Sequence, residues 1–263
     1  MSDVWGRVSL LGIPIDALTV SQLHDEITGI IEAGQKALIL NVNVHCMNLA
    51  YERPWLRGML NRARIVFCDG AGVMLGARLL GEHIPERITY ADWLWQLAEL
   101  ASVRGYTMFF LGAKEGVARL AAQNLTARFP NLKVVGTHHG YFTRTGSENR
   151  RVVELINSLR PNILIVAFGM PLQEKWLNEN WEKIEANVFL TGGACFDYAA
   201  GMVPRGPRWI LDHGLEWLYR LWSDPRRLWR RYVIGNPLFV LRVLKQRIAR
   251  HSARQIDKMH EML

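Results

Sequence analysis

The sequence predicts an α/β sandwich followed by a helical C-terminal piece. Three observations carry that forecast. Six short apolar runs alternate with longer segments of helical spacing, polar or glycine residues close the runs, and charge and tryptophan content change after residue 204. Strands separated by helices pair in parallel through crossovers, and ligands of such sheets sit beyond the carboxyl ends of the strands.

The apolar runs are 37–41 (ALILN), 64–68 (RIVFC), 107–111 (TMFFL), 133–136 (KVVG), 163–168 (ILIVAF) and 187–190 (NVFL). Between them, residues 19–33 place Val20, Leu23, Ile27, Ile30 and Ile31 at helical spacing. Residues 115–129 repeat the pattern with Val117, Leu120, Ala121 and Leu125, and 148–159 with Val152, Leu155, Ile156 and Leu159. A further helix is expected over 93–103, after the polar loop 85–92. Beyond Gly201 the turn-rich VPRGP leads into three expected helices. The first spans 209–222 and is stopped by Ser223-Asp224-Pro225. The second spans 226–234 and ends at Gly235-Asn236-Pro237, and the third starts at Leu238. The chain therefore divides into a body, 1–204, and an appendage, 205–263.

Composition bounds the function. With 263 residues, 49% hydrophobic and 21% charged, the chain can bury a core without staples and is not a disordered one. Cys46, Cys68 and Cys195 are too few and too scattered for a disulfide framework or a zinc site, which points to reduced thiols in the cytosol. The net charge of +8 has an address. Residues 205–254 hold 12 Lys/Arg and three acids, whereas 1–204 hold 19 of each. The appendage also holds four of the ten tryptophans. No signal-peptide pattern and no run of the roughly 18–20 apolar residues needed to cross a bilayer is visible, so contact with a membrane is expected to be peripheral.

The strand ends collect the candidate chemistry. Asp69 closes a buried strand ahead of Gly70, which fits both a desolvated base and a helix cap. Asn41 and Asn43 fit a pair of amides reading sugar hydroxyls or a uracil edge, and equally a pair of Asx-type turn residues. Arg87, in PERITYAD, is either a diphosphate clamp or a solvated arginine. Gly112 opens LGAKEGV, a phosphate-cradle shape that is neither a Walker loop nor a dinucleotide fingerprint. Gly169 precedes Met170-Pro171 at a helix start, with Gln173 aimed at the rim and Glu174 suited to a helix N-terminus, and Gly192 follows the last run.

In order along the chain, CDG, PERITYADW, GYF, FGMPLQEKW, GGACFDYAAGMVPRGP and GLEWLYRLWSDPRRLWRRY resemble the WecG/TagA/CpsF glycosyltransferase family over nearly the whole length. The resemblance implies a Rossmann-like body, with a mostly parallel sheet and helices on both faces, and an appendage that touches the membrane and completes the site. It implies inverting transfer from a UDP-sugar donor to a polyprenyl-diphosphate-linked saccharide in bacterial cell-surface polysaccharide synthesis, at the inner face of the cell membrane. By motif, Asp69 is the implied base and Arg87 its catalytic companion. Asn41, Asn43 and Gln173 fall on substrate-binding positions, and Arg220, Arg227 and Arg230 on arginines that hold diphosphate. On an unbroken helix these three would share one face, and Pro225 interrupts it.

The chain departs from the family pattern at Asn41, Tyr90, Leu172 and Gly206. The donor sugar therefore stays open among N-acetylmannosamine, its uronic acid and glucose types. No cofactor or metal ion is expected, since arginines can meet the charge on the leaving diphosphate. Two other classes share some features. A nucleotide-dependent oxidoreductase should show a glycine fingerprint that is missing, and a nucleic-acid-binding protein could use the +9 segment. The tryptophan content of that segment fits an anionic membrane surface better, and nucleic acid is not an expected partner. Oligomeric state is not legible.

Overall fold

The computed structural model describes residues 5–207, 209–210 and 214–261, and side chains as far as Ser252. Its centre is a six-stranded, wholly parallel sheet of β3 (Ala37–Val42), β4 (Ile65–Cys68), β5 (Thr107–Gly112), β6 (Lys133–His138), β7 (Ile163–Ala167) and β8 (Val188–Thr191). The spatial order is β4-β3-β8-β7-β5-β6, with parallel pairing at every junction. The six expected runs are these six strands, with ends shifted by one or two residues. β3, β4, β7 and β8 are buried along their whole length, so their sequences read as unbroken apolar stretches.

Alternate residues of each strand feed two cores. On one face Ile39, Phe67, Phe110, Ile165 and Leu190 pack with α1 (Val20–Glu32), α5 (Tyr90–Arg104), α6 (Val117–Arg128) and α9 (Cys195–Ala199). On the other, Leu40, Val66, Phe109, Leu164 and Phe189 meet α2 (Val44–Glu52), α3 (Pro54–Arg62), α4 (Ala71–Leu79), α7 (Gly146–Leu159) and α8 (Leu172–Asn180). Helices thus cover both faces of a Rossmann-like sheet. Local chemistry sets several helix starts. Thr19 and Gln22 form a capping box on α1, and Pro54 stops α2 and opens α3.

Three features depart from the sequence forecast. The N-terminus forms an antiparallel hairpin, β1 (Arg7–Leu10) and β2 (Ile13–Asp16), whose buried side chains join the second core. The expected helix 209–222 takes the form of α10 (Glu216–Ser223), and part of the expected span, 211–213, lies outside the described residues. The expected break at Gly235–Pro237 is absent. α11 (Pro225–Trp229) runs through a π-helical turn, Arg230–Ile234, into α12 (Gly235–Glu261). Pro237 follows directly on the π turn, whose backbone bonds already depart from the regular α pattern, and the helix continues through it. The stop at Ser223–Pro225 is as read, with Asp224 capping α11 and Pro225 in its first turn.

α12 packs back along the body. Phe239 and Val243 enter the second core, and a Cβ at Gly76 would collide with the Phe239 ring. Arg242 bonds Glu52 at 2.6 Å and the Asn48 side chain at 3.0 Å, Gln246 accepts the Leu11 N–H at 2.8 Å, and Arg250 bonds Glu82 at 3.2 Å. Arg220 of α10 and Arg231 of the π turn thereby come within the electrostatic reach of Asp69, at the end of β4.

Candidate active site

The rim begins at β3 and β4. Asp69 follows β4, and its own N–H bonds the Val42 carbonyl at 2.9 Å, which fixes it against β3. Its carboxylate accepts the Asn41 amide at 3.0 Å and the Tyr90 backbone N–H at 3.2 Å. The Asn41 oxygen in turn accepts the Thr191 hydroxyl of β8 at 2.8 Å. Three strand ends are thus linked in one chain of polar contacts. Burial, reinforced by the nearby charge of Glu216, pushes the Asp69 carboxyl from its ordinary 3.8 up to about 7, against the opposing pull of the Tyr90 N–H, Arg220 and Asn41. A carboxylate so placed takes a proton readily near neutrality, which is the property of a general base.

The appendage supplies the cations. Arg220 of α10 lies within the electrostatic reach of Asp69, Tyr198 and Tyr232 and stacks over the Tyr198 ring at 5.8 Å. Burial draws its guanidinium down, and Tyr232, Tyr198, Glu216 and Asp69 together outweigh that and raise it. Arg205, in the connector, pairs with Asp92 and with Glu216 (3.3 Å), tying the start of the appendage to α5.

The other expected residues divide. Arg87 is half-buried within the field of Cys68, one residue before Asp69. Asn43 is the N-cap of α2, its oxygen accepting the Cys46 N–H at 3.1 Å, which is the turn-forming alternative. Gln173 stands at the rim but is fully buried. Its oxygen accepts the N–H groups of Gly169 (3.1 Å) and Gly193 (3.0 Å), and its amide nitrogen donates to Glu174 at 2.7 Å. It joins the loops after β7 and β8. Gly112 and Gly192 have steric reasons: a Cβ would run into the Ala167 carbonyl at the first, where φ is +151°, and into Cys195 Sγ at the second. Arg227 and Arg230 do not share the surroundings of Arg220. Arg227 is exposed and paired with Asp224 at 2.7 Å, and Arg230 is exposed over the Trp229 ring at 5.4 Å. The break at Pro225 removes the common face that an unbroken helix would have provided.

Sequence reasoning missed Thr191, Tyr198, Glu216 and Arg231. Thr191 was legible as a hydroxyl at a strand end before Gly192-Gly193, whereas Arg231 was hidden next to Arg230 in an arginine run beyond the Pro225 break. Among the described residues, no group of three or more His, Cys, Asp or Glu side chains is arranged to hold a metal ion.

The model of the glycosyl transferase WecG/TagA/CpsF family matches residues 8–253. The chain belongs to this family. Two similar WecG/TagA/CpsF relatives come from Staphylococcus aureus, strains MW2 and NCTC 8325 / PS 47. Each is 27% identical over 241 residues, covering 91% of this chain and 92% of the relative. Both bear the name N-acetylglucosaminyldiphosphoundecaprenol N-acetyl-beta-D-mannosaminyltransferase. As a WecG/TagA/CpsF protein the chain is a glycosyltransferase. The family match runs from the β1–β2 hairpin through most of α12, so it takes in both the strand-end rim and the appendage that covers it.

Proposed function

We propose that this glycosyltransferase moves a sugar from a UDP-sugar to a polyprenyl-diphosphate-linked saccharide, with inversion, in bacterial cell-surface polysaccharide synthesis. The observation that carries the reading is the buried Asp69 carboxyl, pushed to about 7, facing Arg220 across the rim. Asp69 takes the proton of the acceptor hydroxyl as that oxygen forms its bond to the anomeric carbon. The bond from that carbon to the UDP oxygen breaks, and UDP leaves with the electron pair. A single displacement inverts the centre. Arg87 and Arg220 supply positive charge to the diphosphates, so the step proceeds without a metal ion or cofactor. The S. aureus relatives' names support a lipid-diphosphate acceptor and make an N-acetylmannosamine-type donor the first to test.

A lipid-diphosphate acceptor and a UDP-sugar donor support a peripheral position at the inner face of the cell membrane. No described helix is long and apolar enough to cross a bilayer. The appendage does expose Trp222 (87%), Trp229, Leu241 and Ile248 among its arginines, a mixture suited to an anionic headgroup zone. The deciding experiment offers a panel of UDP-sugars with a short-chain lipid-diphosphate saccharide and reads product mass and anomeric configuration, with and without EDTA. A β-linked N-acetylmannosaminyl product formed equally in EDTA is expected. No transfer from any UDP-sugar, or retention of configuration, overturns the reading.

A further inference from the structure

Helix α5 starts at the rim without the usual cap. Thr89 is its N-cap residue, yet its hydroxyl accepts no N–H of the first turn and is buried without a hydrogen-bond partner. The first N–H of the helix, that of Tyr90, goes instead to the Asp69 carboxylate at 3.2 Å. The Tyr90 hydroxyl is also buried, and among the described residues it has no partner. Two successive hydroxyls are thus left unsatisfied at the helix start that holds the base.

The Tyr90 ring is wedged in place. Its centroid lies 5.0 Å from Trp93, edge-on, and 5.9 Å from Phe67, and the Phe67 and Trp93 rings are 5.1 Å apart. The Trp93 indole N–H is in turn bonded to His24. The side chain therefore has no freedom to turn towards another partner. Its phenol end lies in the field of Cys195 and Asp69, which follow β8 and β4. β3 runs between those two strands, so this end stands beside the point where Asn41 links Asp69 to Thr191. A phenylalanine would pack as well and bury no polar atom. A buried tyrosine hydroxyl ordinarily has a partner, and one without it destabilises the fold. Tyr90 is also one of the positions at which the chain departs from its family pattern.

The chemistry of the place selects what can meet this hydroxyl. A phosphate is disfavoured there by the Asp69 carboxylate. A neutral pyranose ring suits it, because one ring oxygen substituent can donate to Asp69 while a neighbouring one accepts from the phenol O–H. We propose that Tyr90 is a specificity-determining residue, whose hydroxyl donates to an oxygen substituent of the sugar ring that docks against Asp69. The proposal rests on the glycosyl-transfer reading. The ring belongs to the donor or to the acceptor saccharide; the hydrogen-bond chemistry is the same, and the two sources separate by measurement.

The test compares wild type with Tyr90→Phe in the intact chain. Calorimetry uses two ligand pairs: UDP against UDP-N-acetylmannosamine, and a short-chain prenyl diphosphate against the same lipid diphosphate carrying N-acetylglucosamine. The variant should melt no lower than wild type, leave both sugar-free ligands within twofold, and weaken one sugar-bearing ligand about tenfold. Loss on the UDP-sugar assigns the donor ring, loss on the lipid-linked sugar assigns the acceptor ring, and either supports the contact. In turnover, wild type should discriminate against a deoxy analogue of the assigned sugar, and Tyr90→Phe should lose that discrimination, which a merely structural role would leave unmoved. Both sugar-bearing ligands within twofold of wild type, or losses shared equally by the sugar-free ligands, overturn the proposal. So does a shifted pH profile that is the same for every sugar, which would place the hydroxyl on Asp69 itself. Absence of transfer by wild type, with a sugar-bearing ligand still weakened selectively in Tyr90→Phe, would instead overturn the transfer reading and leave the sugar contact standing.

Discussion

Asn41 holds Asp69 through a single amide whose orientation is not free. The Thr191 hydroxyl engages the amide oxygen at 2.8 Å, so the nitrogen must face the Asp69 carboxylate at 3.0 Å. This bond favours the ionised carboxylate. Asn41→Ala should therefore raise the acid limb of the kcat/KM profile by about one pH unit, the scale of one charge-assisted hydrogen bond of roughly 1.5–3 kcal/mol. A pH–rate series checks it; an unmoved limb would detach Asn41 from the base.

Asp69→Asn should lower transfer by about 10²–10⁴-fold, the range of general-base catalysis, while UDP binding persists. The same substitution should raise stability at pH 8. Folding lifts the Asp69 carboxyl from 3.8 to about 7, so the folded state holds this proton more tightly. That contribution is complete below pH 4 and is lost as pH rises through 7. Asparagine carries no charge to bury, so the variant should melt above wild type at pH 8 and converge with it in acid.

Glu174 repeats the logic away from the chemistry. It is buried, one carboxylate oxygen has no hydrogen-bond partner, and burial pushes it from 4.5 to about 7 against the opposing Gln173 amide. Wild-type stability should fall as pH rises from 4.5 through 7, and Glu174→Gln should flatten that slope. Thermal melts across this range decide it.

His24 has the opposite sign. Its Nε2 accepts the Trp93 indole N–H at 3.0 Å, and burial lowers its pKa against the pull of Asp25, Glu86 and Glu99. The folded state therefore holds the neutral ring, and the stabilisation is lost as pH falls below 6.5. His24→Gln, which keeps an acceptor but does not titrate, should show a smaller drop in melting temperature between pH 7.5 and 5.5.

Trp222→Ala combined with Ile248→Ala removes two large exposed apolar side chains of the appendage and leaves Phe239 and Val243 seated. Co-sedimentation with anionic vesicles should fall severalfold, with the melting temperature within a few degrees of wild type. Unchanged binding would move the membrane contact elsewhere.

Much of the fold was legible because fully buried parallel strands, such as β3, leave nearly uninterrupted apolar runs. The hairpin was not, because Arg7–Leu10 and Ile13–Asp16 are four-residue strands joined by a turn at Leu11-Gly12, too short for a clear alternation. Helix α2 begins directly at the Asn43 cap, so no loop marks its start. At the site, the strand-end position of Asp69 could be read from the chain, whereas the spacing of Arg220, Arg227 and Arg230 pointed to a shared face that the structure does not have. Arg231 stands eleven residues after Arg220, about three helical turns, and the break at Pro225 between them hides that spacing.

The bond between the Leu11 N–H and Gln246 joins residues 235 positions apart. On a ribosome adding about 5–20 residues per second, the sheet is complete well before Arg220 and the helix that anchors it emerge. Until then Asp69 lacks the nearby charges of Glu216 and Arg220. A chain that has reached only Thr191 therefore carries all six strands of the sheet and none of the appendage charges that act on Asp69.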